Sequence, residues 1–405
     1  MSFVAKVKQL VPAKLKLLAR KMHPCVLVVA WDRLRGNKIF LFHLPIVGEQ
    51  VYIAPIMHEI RRRRVKASIY LLVDDELVET NSALSQSLGV AESRILRWRD
   101  RATLGTVDAF ITPTQWVGGN TSATVRICIF HGQPTKGLTF LPHLISRFNT
   151  LFLLGPLQRS LYEAFAAANP AIARNIKALN VGYPKSDALL NGQFSRQDIL
   201  DKLNLDPAKP VVIYAPAFDK GAALDMYGEL VVEYLLKGDA SVIVKLHPMC
   251  YEPQQYAGGV NWTERLRKFE GDKRFRHVGN QALDPYLAAS DVLVTDVSSA
   301  SFEFMMLDRP VVFVDCPDFF TSTLGTSHYL RKRDEILRDI RLNAGRSAGL
   351  VVHTLDALPA AITRSLQYGS EFSAQRQAVR AQLLYNPGTG GVAATDALLS
   401  LTKCT

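Results

Sequence analysis

The sequence predicts an α/β protein of two Rossmann-like, doubly wound domains facing each other across a cleft. Three observations carry that expectation. Short apolar runs alternate with helix-like segments, and their hydrophobicity is continuous, as in strands buried on both faces. Strand–helix alternation implies parallel sheets covered by helices. With 405 residues, 48% apolar and 21% charged, the chain can bury two cores and is too apolar for global disorder.

The strand-like runs fall, in order, at 25–30 (CVLVVA), 67–73 (ASIYLLV), 108–112 (DAFIT), 125–130 (VRICIF) and 150–154 (TLFLL). They continue at 178–181, 211–215 (VVIYA), 241–246 (SVIVKL), 292–295 (VLVT) and 311–314 (VVFV). A boundary falls between 185 and 210. There Gly182-Tyr183-Pro184, a polar helix-like stretch and Asn204-Leu205-Asp206-Pro207-Ala208-Lys209-Pro210 precede a fresh strand at Val211. The expected domains are 23–190 and 208–370, preceded by a basic segment over 1–22 and followed by a helical segment over 372–403. Two such domains bind ligands at the carboxyl ends of their strands, in the cleft between them.

Composition narrows the function. The five cysteines, Cys25, Cys128, Cys250, Cys316 and Cys404, show no CxxC or Cys/His spacing, so neither zinc nor a disulfide framework is expected. Cys25, Cys128 and Cys316 read as buried thiols, a pattern that favours a reducing cytoplasm. No run approaches the roughly 20 apolar residues of a membrane span. Lys14, Lys16, Arg20 and Lys21 interrupt any secretory core. The formal charge is +11, and residues 1–22 hold six Lys or Arg and no acid. In that segment Phe3, Val4, Val7, Leu10, Val11, Leu17 and Leu18 fall near helical spacing. It suits either an anionic membrane surface or a helix packed on the protein itself. The run Arg61-Arg62-Arg63-Arg64 closes a helix-like stretch. It can complement the helix C-terminus, bind lipid phosphates or stay solvated. No basic–aromatic module points to nucleic acid, so no nucleic-acid partner is expected.

Chemistry concentrates in three places. In Ser290-Asp291-Val292-Leu293-Val294-Thr295-Asp296-Val297-Ser298-Ser299 a buried strand runs into two serines and a helix over 300–307. Serines at a helix start cap it, and unpaired N–H groups there attract anions. Ser298 and Ser299 are therefore expected to meet a pyrophosphate, with Asp296 beside them and Glu303, one turn on, accepting from ribose hydroxyls. A plain N-cap is the simpler reading. The second place is Lys245-Leu246-His247-Pro248, at the end of a strand. Lys245 and His247 there can neutralise charge on a leaving phosphate; a His satisfied by a local carbonyl is the alternative. The third is His131-Gly132-Gln133-Pro134-Thr135-Lys136-Gly137, where a strand ends in a glycine-flanked loop. His131 suits a general base for an attacking hydroxyl and Lys136 a phosphate clamp, against a merely structural loop histidine.

In this order the segments resemble the CDP-glycerol glycerophosphotransferase family of teichoic-acid and capsule-type polymerases and primases. His131, Gly132, Pro134 and Lys136 match its His-Gly-x-Pro-x-Lys motif. Gly182, Pro184 and Asp187 match Gly-x-Pro-Arg-x-Asp, with Lys185 in the arginine place. Lys245, His247 and Pro248 match Lys-x-His-Pro. Ser290, Asp291, Leu293, Thr295, Asp296, Ser298 and Ser299 match Ser-Asp-x-Leu-x-Thr-Asp-x-Ser-Ser. The resemblance covers about 125–320. Two departures stand out: Val297 replaces a usual Tyr, and Ala217-Phe218-Asp219-Lys220 replaces Thr-Trp-Arg after Ala215-Pro216.

The resemblance implies a GT-B-like fold with an acceptor-side first domain and a donor-binding second domain. It implies transfer of a glycerol- or ribitol-phosphate from a CDP-activated donor to an acceptor hydroxyl, with His131 as base and CMP leaving. The acceptor would be lipid-linked or a glycan, at the inner membrane face. No cofactor or metal is expected, since the nucleotide is a substrate. Rival readings are a GT-B glycosyltransferase using a UDP- or CMP-sugar, a UDP-sugar 2-epimerase-like enzyme, and a non-catalytic nucleotide-binding module.

Overall fold

The computed structural model describes residues 24–45, 48–75, 81–117, 121–133, 140–251, 259–320, 339–340, 343 and 345–404. The basic segment over 1–22 and Lys136 lie outside the described residues. Thirteen strands are described in two all-parallel sheets.

The first sheet contains β1 (Lys38–Leu44), β2 (Ala67–Val73), β3 (Ile95–Arg97), β4 (Val107–Thr112), β5 (Ala123–Cys128), β6 (Thr150–Leu153) and β7 (Lys177–Asn180), in the spatial order 3-2-1-4-5-6-7. The second contains β8 (Val211–Tyr214), β9 (Ser241–Val244), β10 (Phe275–His277), β11 (Val292–Thr295), β12 (Val311–Val314) and β13 (Leu350–Val352), in the order 10-9-8-11-12-13. Each order reverses once, between β1 and β4 and between β8 and β11. Those reversals open crevices at the strand C-termini. The doubly wound pair expected from the sequence is therefore present.

One run was read wrongly. Residues 25–30 form no strand but lie in the helix Pro24–Leu34. Cys25, Val29 and Asp32, spaced four and three apart, are buried, whereas Leu27, Trp31 and Leu34 are exposed. A short apolar run cannot separate strand from helix by itself, and proline suits a helix's first turn. The strand of this region is β1, which passed unread because His43 interrupts its apolar run. His43 is nonetheless 1% exposed, because Thr112 Oγ1 and Asp74 Oδ1 sit 3.0 Å from its two ring nitrogens. The other missed strands, β3, β10 and β13, are three-residue edges, too short to leave a periodic signal.

The chain's end stitches the lobes together. The helix Ser373–Leu383 is anchored in the second lobe by Arg376, 1% exposed, whose Nε donates to Asp308 Oδ1 at 2.8 Å. The chain then crosses to the first lobe. Tyr385 N–H donates to the Leu154 carbonyl at 2.8 Å, and the Asn386 amide to the Val181 carbonyl at 2.9 Å. The last helix, Gly390–Thr402, packs Ala394 and Leu398 into the apolar cluster that holds Phe40, Ile53 and Met57. The crossing is so close that a Cβ on Gly155 would stand 2.2 Å from the Leu383 carbonyl.

That contact makes a prediction. Gly155→Ala pushes the 383–386 crossover off the first lobe and should lower stability by about 2 kcal/mol or more. Thermal denaturation of the full chain measures it; an unchanged melting temperature would mean the crossover can shift at no cost.

Candidate active site

Strand ends determine what can meet here. In the second sheet β9, β8 and β11 are neighbours, so the segments after them share one edge. These are His247, the 215–223 loop and the Ser298-Ser299 turn. In the first sheet β5 lies between β4 and β6, so His131 emerges beside Pro113. Phe130, just before it, adopts φ +58, a left-handed conformation that costs a bulky residue energy and is often held at functional turns.

The two histidines carry opposite tautomers. His131 Nδ1 is 3.3 Å from the Pro113 carbonyl. A carbonyl only accepts, so Nδ1 carries the proton and Nε2 keeps its lone pair. Solvent reaches His131, yet protein surrounds the ring closely enough that burial pushes its pKa below the ordinary 6.5, against the Pro113 carbonyl, which raises it. Both facts fit a ring on a cleft wall, neutral at pH 7. At His247 the logic inverts. Met249 N–H donates to Nδ1 at 3.2 Å, so in the neutral ring Nε2 carries the hydrogen. Phe218 stacks on this ring, centroids 4.4 Å apart at 29°. The departure at Ala217-Phe218-Asp219-Lys220 thus supplies a platform for His247.

Lys245 is 4% exposed. Its Nζ donates to the Leu246 carbonyl at 2.5 Å, and it has no carboxylate partner among the described residues. Burial pushes its pKa down to about 8; Cys250 opposes the shift and Lys185 adds to it. A buried ammonium without a counter-ion is a site awaiting an anion.

The serine turn is organised differently from the sequence expectation. Asp296 is fully buried. Its Oδ1 accepts from the N–H groups of Ala217 at 2.9 Å, Val297 at 2.7 Å and Ser298 at 3.1 Å, and its Oδ2 from Ala223 at 2.9 Å. This carboxylate already occupies the place that an outside anion was expected to take. Asp296 therefore ties the loop after β8 to the turn after β11 instead of meeting the donor. Ser298 Oγ accepts from Ala300 N–H at 3.3 Å, a turn contact leading into the helix Ala300–Met305, whose N-cap is Ser299, and it keeps its hydroxyl hydrogen to give. Both serines are part-exposed.

Glu303 was expected to meet a ribose. The structure gives it a different partner: Lys185 Nζ donates to its Oε2 at 2.5 Å and stands 3.0 Å from Asp284 Oδ1. Lys185 is 8% exposed, Asp284 5% and Glu303 8%. Burial works against the Lys185 ammonium, but the two carboxylates outweigh it and its pKa is raised. Burial pushes Glu303 upward, only partly compensated because one ammonium serves two acids. The Tyr183 hydroxyl lies 3.4 Å from both the His131 carbonyl and Glu303 Oε1, and it donates to one at a time. The Tyr52 ring lies between the Tyr183 and His131 rings, 6.2 and 6.3 Å away. His131 of the first lobe and the helix behind the serines are thus joined through one tyrosine.

The 182–187 motif explains itself here. Gly182 adopts φ +108, and a Cβ there would stand 2.3 Å from the Tyr385 carbonyl. Asp187 accepts from Gly390 N–H at 2.9 Å and Gly391 N–H at 2.7 Å, holding the last helix. Tyr52, Tyr183 and Asp284 escaped the sequence reading because nothing local marks a residue whose partner lies far away in the chain.

Two facing Rossmann-like lobes with polar groups at their strand ends define the GT-B-like class. Among solved structures, a variant of the wall teichoic acid polymerase TagF aligns over 91% of this chain and 89% of its own, at TM-score 0.64 and 15% identity. A putative UDP-N-acetylglucosamine 2-epimerase from Listeria monocytogenes aligns over 90% and 96%, at 0.55 and 13%. Residues 158–332 match the family model described as CDP-Glycerol:Poly(glycerophosphate) glycerophosphotransferase. The resemblance read from the motifs is borne out over these residues, which include Lys185, Lys245, His247, Ser298, Ser299 and Glu303; His131 precedes them. The teichoic acid glycerol-phosphate primase of Bacillus spizizenii is 29% identical over 138 residues, 33% of each chain. The teichoic acid ribitol-phosphate polymerase TarL of Staphylococcus aureus is 26% identical over 185 residues, 40% of this chain and 31% of its own. The chain thus spans about a third of the length of these curated relatives.

Removing Lys185 tests the interlobe cluster. Lys185→Ala leaves Asp284 and Glu303 buried without their cation and should cost about 3 kcal/mol or more. Chemical denaturation should show a lower midpoint; a wild-type midpoint would mean the lobes do not depend on the pair.

Proposed function

We propose that the chain is a transferase moving a polyol-phosphate, of glycerol- or ribitol-phosphate type, from a CDP-activated donor to an acceptor hydroxyl in cell-surface polymer synthesis. The observation that carries this reading is the tautomer of His131, whose Nε2 lone pair is left for a proton by the Pro113 carbonyl. The relatives named above, a teichoic acid glycerol-phosphate primase and a ribitol-phosphate polymerase, support the donor and product classes.

The reaction then balances as follows. His131 Nε2 takes the acceptor's hydroxyl proton. The oxygen forms a bond to the donor phosphorus nearest the polyol. The bond from that phosphorus to the bridging oxygen breaks, and CMP departs with the electron pair. Lys245, the Nε2–H of His247 and the Ser298 and Ser299 hydroxyls offset the charge on the departing phosphate. Positioning and electrostatics carry most of such a transfer. The acceptor is a glycan or polymer hydroxyl, lipid-linked and held near an anionic membrane surface. Among the described residues no helix is long and apolar enough to cross a membrane.

Two measurements test this. His131→Ala should lower CMP release from CDP-glycerol or CDP-ribitol on the order of a thousandfold without unfolding the protein. Wild-type turnover in that variant would remove the base assignment. Phosphorus NMR should show a new phosphodiester, whereas a glycosidic product from a UDP- or CMP-sugar would transfer the site to a glycosyltransferase.

A pH dependence follows from Lys245. Its folded pKa of about 8 lies below its ordinary value, so its charge is lost as pH rises through 8. Donor affinity should fall by about tenfold per pH unit above that point. Calorimetry between pH 7 and 9 reads this directly; constant affinity would mean that Lys245 does not meet the phosphates.

A further inference from the structure

We propose that an arginine-lined cavity at the far end of the first lobe is a second anion site, built for a phosphate ester. The cavity holds about 260 Å³ and is lined by Arg61, Arg64 and Arg94, with Val65, Ile69 and Val90 as its apolar wall. That volume approaches the roughly 300 Å³ at which small-ligand sites begin. It lies where β2 and β3 start. Seven residues of β2 separate it from the cleft edge, about 20 Å along the sheet. It therefore belongs to no part of the site above.

The four consecutive arginines divide sharply. Arg62 and Arg63 are spent on Glu59, at 2.6 and 2.7 Å, and Arg63 also reaches Asp396. The guanidinium groups of Arg61 and Arg64 make no hydrogen bond or ion pair with any described residue. Arg61 is half-buried and loses hydration, which lowers its pKa. The third cation, Arg94, donates from one terminal nitrogen to both oxygens of Asp32 at 2.9 Å, but its Nε is buried without a partner. Three arginines thus line one cavity, and the one carboxylate that meets any of them, Asp32 on Arg94, also accepts from Tyr70 OH at 2.6 Å. Complementing a helix C-terminus explains arginines in solvent. It does not explain a desolvated one, an orphaned Nε and a cavity between them. Forked donors of this kind match phosphate oxygens, and the apolar wall suits the carbon side of an ester.

The test uses the full chain with two probes: sn-glycerol 3-phosphate in solution, and phosphatidylglycerol vesicles compared with phosphatidylcholine vesicles. Arg61→Ala should weaken binding by about tenfold, while Arg62→Ala, which removes an equal charge outside the cavity, should leave it unchanged. Binding of the soluble ester identifies a free ligand; binding of anionic vesicles alone identifies a lipid headgroup. In the wild-type protein the bound probe should also move the Nε–H resonances of Arg61 and Arg94, a readout independent of whether a variant folds. Absence of binding to both probes, equal losses in the two variants, or unmoved arginine resonances would overturn the proposal.

Discussion

A buried ammonium ties the two lobes together inside the cleft, beside the crossover of the chain's end. Lys185 leaves the first lobe and ends between Asp284 and Glu303 of the second, all three out of water. A buried cation shared by two acids is tolerable only while all three stay in place. The aromatic groups around it, Tyr52 and Tyr183, then set where His131 stands. The motif around Gly182 serves the same end from the backbone side, where Asp187 seats the last helix. His131 is thereby positioned by elements from both ends of the chain.

The same economy governs the second lobe. Asp296 looks from its setting like a donor ligand, yet its carboxylate accepts from the backbone N–H groups of Ala217, Ala223, Val297 and Ser298. It freezes the loop after β8 against the turn after β11. Lys245, by contrast, is a buried cation with no carboxylate partner among the described residues, and burial pushes its pKa down.

Charge on this protein is unevenly used. Most arginines in the fold are spent on carbonyls and carboxylates, as Arg376, Arg274 and Arg196 are. Arg61 and Arg64 are not, and they sit at the end of the first sheet remote from the cleft.

The sequence by itself determined the strand ends and hence the cleft. Continuous apolar runs announce buried parallel strands, and residues directly after them, His131, His247, Ser298 and Ser299, fall on the C-terminal edges with no further information. It also carried the family resemblance, since motif order and spacing survive at low identity. What it could not determine was anything set by partners distant in the chain. Residues 25–30 form a helix whose buried face, Cys25 and Val29, packs in the first core cluster. Glu303 met Lys185 across 118 positions, and Asp296 met Ala217 across 79. Periodicity reports the face a residue shows to its own element. Only the packed lobes decide which opposite charge, carbonyl or solvent that face finds, because those energies depend on distance and burial and not on neighbours in sequence.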